Sequence, residues 1–194
     1  MKPLPTTARG RRSRNAIVAA AAGLMHERGL AAPSMDEVLA ASGAGKSQLY
    51  HYFEGRRDLS VAVLHHQFDR VMAAQPALAD PDCDDLNRWR DEVVQAQRTH
   101  GMGTCPLGAF VGQADDDPAL RGTLADLFTR WQEAIAGLVA RALQVGRVRP
   151  DVDPEAAALT LLTAHQGGTV LSHLRRDSAP LADALDAAIA ALRP

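Results

Sequence analysis

The sequence predicts an all-α protein, with an N-terminal three-helix helix-turn-helix domain followed by a C-terminal helical domain. Three observations carry that expectation. Aromatic residues are only 4% of the chain, which leaves strand signals scarce. Alternating β-branched runs are absent. Ala and Leu dominate instead, and apolar residues recur at helical spacing.

The elements follow in order. Residues 13–28 place Ile17, Ala20, Ala21 and Leu24 on one face, and Gly29 stops that helix. Ser34-Met35-Asp36-Glu37 reads as a capping box opening a short helix that ends at Ser42-Gly43. After Gly43-Ala44-Gly45 a third helix runs over 46–53, and Glu54-Gly55 breaks it. A longer helix then carries Leu64, Phe68 and Val71 at i, i+4 and i+7 as far as Pro76. Residues 76–85, rich in Pro and Asp, read as a linker. Further helices are expected over 86–100, briefly over 107–114, and from Asp117-Pro118 to about Val145. Helices over 154–175 and 179–192 close the chain. The domains expected are 10–55 for the helix-turn-helix, 56–75 for a connecting helix and 76–194 for the body.

Composition bounds the function. The chain has 194 residues, 46% hydrophobic and 23% charged, which is ordinary for a folded globular protein. Two cysteines cannot build a disulfide framework, and no apolar run reaches membrane-spanning length. A cytoplasmic protein that does not meet the membrane is expected. The net charge of −2 hides a split: residues 1–60 carry +4, and the rest carries −6. Much of the basic excess lies in Arg9, Arg11, Arg12 and Arg14. A basic head on an acidic body points the first sixty residues toward a polyanion.

Two short helices joined by a glycine-containing turn form a helix-turn-helix, whose second helix enters the DNA major groove. Here that helix displays Lys46, Ser47, Gln48, Tyr50, His51 and Tyr52, with Leu49 and Phe53 as its apolar seat. Gln pairs with adenine, Lys reaches guanine, and Tyr and His reach phosphates or bases. Arg56 and Arg57 stand at a helix N-terminus, where the dipole disfavours cations but favours a phosphate that arginine would complete.

Residues 10–72 resemble the DNA-binding domain of the TetR family of one-component regulators. The resemblance rests on Ser42-Gly43-Ala44-Gly45-Lys46-Ser47-Gln48-Leu49-Tyr50-His51-Tyr52-Phe53 and on Arg57-Asp58-Leu59. It implies base or phosphate contacts from Lys46, Ser47, Gln48, Tyr50 and His51, and phosphate contacts from Ser34 and Arg57. Gly45 departs from the Ser or Thr usual at the start of the recognition helix, and glycine caps less well. The resemblance also implies a ligand-binding and dimerisation body, hence three partners: palindromic double-stranded operator DNA, a small-molecule effector and a second copy of the chain. Cys105-Pro106-Leu107-Gly108 resembles the LmrA/YxaF-type subgroup.

Large residues of the body are candidate effector contacts: Trp89, Val93, Met102, Leu107, Phe110, Phe128, Trp131 and His165. The last two helices are the candidate dimer interface, through Leu159, Leu162, Val170, Leu174, Leu181, Leu185, Ile189 and Leu192. Gly167-Gly168 inside a helix is costly unless another helix or a ligand approaches closely.

No catalytic residue, metal site or cofactor is expected. Gly45-Lys46-Ser47 ends like a phosphate-binding P-loop, but Ala40 stands where that loop needs glycine, and the preceding segment reads as helix rather than strand. A nucleotide-binding enzyme and a helical adaptor are therefore the weaker alternatives. His65, His66 and Asp69 read as a solvated helix face, and Asp115–Asp117 as a helix start.

Overall fold

Helix-forming segments punctuated by caps give a chain that is helix and turn throughout residues 4–99 and 102–194, the residues described by the computed structural model. The helices are α1 (Ala8–Arg28), α2 (Met35–Ser42), α3 (Lys46–Tyr52), α4 (Arg56–Ala73), α5 (Pro76–Ala79), α6 (Leu86–Thr99), α7 (Pro118–Gln144), α8 (Pro154–Arg175) and α9 (Ala179–Ala190). A 3₁₀ turn spans Gly108–Gln113. No helix among the described residues is long and apolar enough to cross a membrane.

The chain divides into two units. One comprises the residues up to Asp69 together with Ala109–Ala125, and the other comprises Arg70–Gly108 and Asp126–Pro194. The contiguous partition read from the sequence differs in two places: the expected connecting helix 56–75 divides between Asp69 and Arg70, and Ala109–Ala125 groups with the N-terminal head.

In the first unit α1 packs on α2 and α3, burying Ile17, Val18, Ala21, Ala22 and Met25. α1 starts five residues before the expected position because the Thr7 hydroxyl accepts from Gly10 N at 3.1 Å, capping the helix. Arg9, Arg11, Arg12 and Arg14 thus belong to a helix and not to a tail. The Ser34–Glu37 capping box forms as expected. Gly43 closes α2 at φ 65°, a left-handed conformation that favours glycine.

In the second unit α8 packs on α9, and α9 on α6. The expected linker 76–85 is more ordered than its composition suggests. It contains α5, whose Ala77 and Leu78 are buried. Arg141 of α7 donates to Cys83 O at 2.6 Å and to Ala77 O at 3.3 Å, tying the segment down.

The paired glycines of α8 have separate reasons. A Cβ on Gly168 would lie 2.7 Å from Leu181 Cα and 3.3 Å from Pro180 O, so the residue permits close approach of α9. A Cβ on Gly167 would meet nothing within 4 Å. Gly168→Ala is accordingly expected to destabilise by about 1–3 kcal/mol through overpacking against backbone. Gly167→Ala is expected to stabilise by up to about 1 kcal/mol through helix propensity. Urea denaturation of the two variants separates them, and equal behaviour would refute the assignment.

Candidate nucleic-acid interface and effector groove

α3 is seated by Leu49, fully buried, while Lys46, Ser47, Gln48, Tyr50 and His51 are all exposed. Phe53 is buried just beyond the helix, with the Arg14 guanidinium 5.2 Å from its ring centroid. A cation over the negative ring face is attractive, and it fastens α1 to the end of α3. His51 and Tyr52 meet edge to face, with centroids 5.0 Å apart. The local signals that make the helix thus direct its polar set outward.

Two of the expected contact residues already have intramolecular work. Gly45 supplies no capping side chain, but Gln48 Oε1 accepts from Gly45 N at 3.1 Å and so closes the start of α3. A bidentate contact to adenine would share that oxygen with the cap, which its two lone pairs allow. The Ser34 hydroxyl accepts from Glu37 N at 3.2 Å and donates to Glu37 Oε2 at 2.9 Å. The N–H and O–H donors of Ser34, with Arg28 at 2.7 Å, hold the Glu37 carboxyl below the usual carboxylate range.

The arginines at the start of α4 part ways. Arg56 donates back to Leu30 O at 3.2 Å. Arg57 donates from Nε to Asp117 Oδ2 at 2.6 Å, and its side chain stays 69% exposed. Arg57 in turn holds the Asp117 carboxyl below its ordinary range. Asp58 accepts from Glu54 N at 3.2 Å, so it caps rather than neutralises the arginines.

Of the eight expected effector residues, Phe128, Trp131 and His165 meet, with the Trp131 ring centroid 5.9 Å from that of Phe128 and 4.9 Å from that of His165. Trp89, Val93, Leu107, Phe110 and Trp131 are buried as core, and Phe110 belongs to the first unit. Met102 takes a left-handed φ of 59°, and its carbonyl lies 2.9 Å from His173 Nδ1. Phe128 lines a groove of about 460 Å³ in the second unit. That groove is formed by Phe128, Thr129 and Gln132 of α7 with Leu159, Leu162, Thr163, Gln166 and Gly167 of α8. Its lining is apolar with hydroxyl and amide groups and no charged side chain. The sequence signal for it was small and polar residues repeating at i, i+3 and i+4: Thr129 and Gln132, then Thr163, Gln166 and Gly167.

A buried polar chain adjoins the groove. Gln166 Nε2 lies 3.2 Å from His165 Nδ1 and 3.7 Å from Cys105 Sγ. Gly108 N donates to the same sulfur at 3.3 Å. His165 stacks edge to face on Trp131, and burial pushes its pKa down to about 4. Burial likewise raises the Cys105 thiol above its ordinary pKa, which suits a packing role better than a reactive one.

The expected dimer residues divide by burial. Leu181, Leu185 and Ile189 are buried within their own chain, as is Leu162. These three α9 side chains pack inside their own chain, where a Cβ on Gly168 would lie 2.7 Å from Leu181 Cα. Leu192 is half-buried. Leu159, Val170 and Leu174 are 54%, 52% and 72% exposed, and Leu171, not anticipated, joins them. No group of three or more His, Cys, Asp or Glu side chains among the described residues could hold a metal ion.

Comparison with known proteins agrees with this layout. The family model described as bacterial regulatory proteins, tetR family, matches residues 17–63. The model described as tetracyclin repressor-like, C-terminal domain, matches residues 85–188. The chain is 29% identical over 180 residues to the HTH-type transcriptional regulator Rv0196 of Mycobacterium tuberculosis, covering 87% of this chain and 88% of that protein. It is 24% identical over 170 residues to the HTH-type transcriptional repressor DhaR of a Mycobacterium species, covering 87% and 86%. The crystal structure of a regulatory protein TetR from Rhodobacter sphaeroides superimposes with TM-score 0.79 at 23% identity, covering 93% of this chain and 98% of that one.

Proposed function

This chain belongs to the TetR family of bacterial DNA-binding transcriptional regulators, and on that premise we propose that it is a homodimeric repressor released from a palindromic operator by a small, largely apolar effector. The observation that carries the reading is α3, whose one buried anchor, Leu49, leaves Lys46, Ser47, Gln48, Tyr50 and His51 on the outward face. A short helix presenting that many polar groups suits groove recognition. Ser34 and Arg57 would add phosphate contacts. The repressor named among the relatives supports the sign of regulation. The Cys105-Pro106-Leu107-Gly108 turn supports the LmrA/YxaF-like subgroup, and a regulator that must meet the chromosome works in the cytoplasm.

The effector is a neutral molecule with an apolar body and a few hydrogen-bonding groups. Phe128, Leu159 and Leu162 would cover its body, and Thr129, Gln132, Thr163 and Gln166 would orient it. Dimerisation would use the exposed α8 residues Val170, Leu171 and Leu174. Release follows when the effector binds more tightly to a helix arrangement that does not fit two half-sites, and the shift cannot exceed that difference in affinity.

Fluorescence anisotropy on DNA from upstream of the protein's own gene, against scrambled DNA and across a salt series, tests the reading. Tight, selective binding with a steep negative salt slope supports it. In the same assay Gln48→Ala is expected to relax preference at one base pair by about 1–3 kcal/mol. Arg57→Ala is expected to weaken all sequences alike and flatten the salt slope. Unchanged affinity and specificity in both variants would remove α3 and α4 from the interface.

A further inference from the structure

Asp117, the residue that precedes and caps α7, lies sixty residues from Arg57 in sequence, yet it is that arginine's acidic partner. Asp117 does two things with its two carboxylate oxygens. Oδ1 accepts from Ala119 N at 3.0 Å and Leu120 N at 3.4 Å, capping α7. Oδ2 accepts from Arg57 Nε at 2.6 Å. The carboxylate is therefore fixed by the helix it caps, and the arginine is fixed by the carboxylate. A charge-assisted bond of this length is among the strong ones.

The geometry leaves the arginine usable. The bond engages Nε, and the side chain remains 69% exposed, so the terminal amines at Nη1 and Nη2 are accessible. A guanidinium held by one edge and presented by the other suits a phosphate oxygen, because less side-chain freedom is lost on contact. The neighbouring Arg56 is turned back onto Leu30 O, so Arg57 is the arginine at this helix start that faces solvent.

We propose that Asp117 is a positioning residue for DNA binding, orienting the Arg57 guanidinium toward a backbone phosphate although it lies outside the helix-turn-helix. Asp117 touches no DNA in this arrangement; it acts through Arg57. The inference rests on the DNA-binding reading above.

The test needs no operator, because phosphate contacts are indifferent to sequence. Anisotropy titrations of full-length protein on one random-sequence duplex, over a salt series, compare wild type with Asp117→Asn, Asp116→Asn, Arg57→Ala and the Arg57→Ala/Asp117→Asn double variant. Asp117→Asn keeps a capping acceptor, so its melting temperature should match wild type. Asp116→Asn removes the same charge one residue away and serves as the field control.

Asp117→Asn is expected to weaken binding about three- to tenfold and to flatten the log–log salt slope by about 0.9, one phosphate's worth. Asp116→Asn is expected to bind as well as wild type or better. The double variant is expected to be no weaker than Arg57→Ala alone, since both changes remove one contact. Asp117→Asn binding as tightly as Asp116→Asn, or losses that add in the double variant, would overturn the inference while leaving the DNA-binding reading intact. Wild-type protein that binds no duplex at low salt would overturn that reading and this one together.

Discussion

Trp131→Ala is expected to cost about 3–5 kcal/mol. Trp131 is fully buried, and its ring meets both Phe128 and His165. Truncation would leave a cavity that rigid helices close only in part. The indole also takes part in a shared hydrogen bond. Gln75 Oε1 accepts from Trp89 Nε1 at 2.7 Å and from Trp131 Nε1 at 3.2 Å, while Gln75 Nε2 donates to Val71 O at 3.0 Å. All three side chains are buried.

Variants separate volume from hydrogen bonding. Trp131→Phe keeps most of the packing, and Gln75 keeps Trp89 as a donor, so a loss of about 1 kcal/mol is expected. Gln75→Leu strands two buried indole N–H groups at about 1–3 kcal/mol each and should fall between the other two or match Trp131→Ala. Denaturant unfolding at fixed protein concentration gives the order. If Trp131→Phe proved as damaging as Trp131→Ala, the bond rather than the volume would be the reason the residue matters.

The second large effect is a dependence on pH. His165 is buried, with Gln166 Nε2 3.2 Å from its Nδ1. An amide N–H donating to that nitrogen requires an unprotonated acceptor, which suits the neutral ring. Burial pushes the pKa from the ordinary 6.5 down to about 4. The unfolded chain therefore binds a proton at a higher pH than the folded one. Stability is fully present above pH 6.5, falls as pH drops, and is lost by the time pH passes below about 4. The difference integrates to roughly 3 kcal/mol near pH 4. Urea midpoints between pH 7.5 and 4 should show this slope, and His165→Gln should flatten it. An unflattened slope would place the titration elsewhere. The carboxyls of Glu37 and Asp117, held below their ordinary range, begin to lose their contributions only as pH falls toward the ordinary carboxylate range, at the acid end of this window and below it.

Much of the head was legible because its signals are local. The Ser34–Glu37 box, the left-handed Gly43 and the Leu49 anchor each lie within four residues of what they organise. Among its local signals the start of α1 was missed, since Thr7 is a cap followed by basic residues rather than by an apolar stripe. The groove between α7 and α8 was hardly legible. Large side chains such as Trp89 and Leu107 went to the core, where burial of area is most favourable. The groove was left to Phe128 and two leucines interleaved with threonines, glutamines and a glycine.

The sequence by itself determined that the chain is helical, where its helices cap, and which short helix turns its polar face outward. Those features depend on hydrogen bonds and side chains a turn apart. Tertiary structure decided the rest. It chose which apolar stripe each helix spends on its own subunit, sending Leu181, Leu185 and Ile189 inward and leaving Leu159, Val170 and Leu174 outside. It joined Ala109–Ala125 to the head, Arg57 to Asp117 and Gln75 to two tryptophans. The physical reason is that helical periodicity groups residues onto a face but carries no record of what that face meets. The meeting is set by shape and burial between segments far apart in the chain.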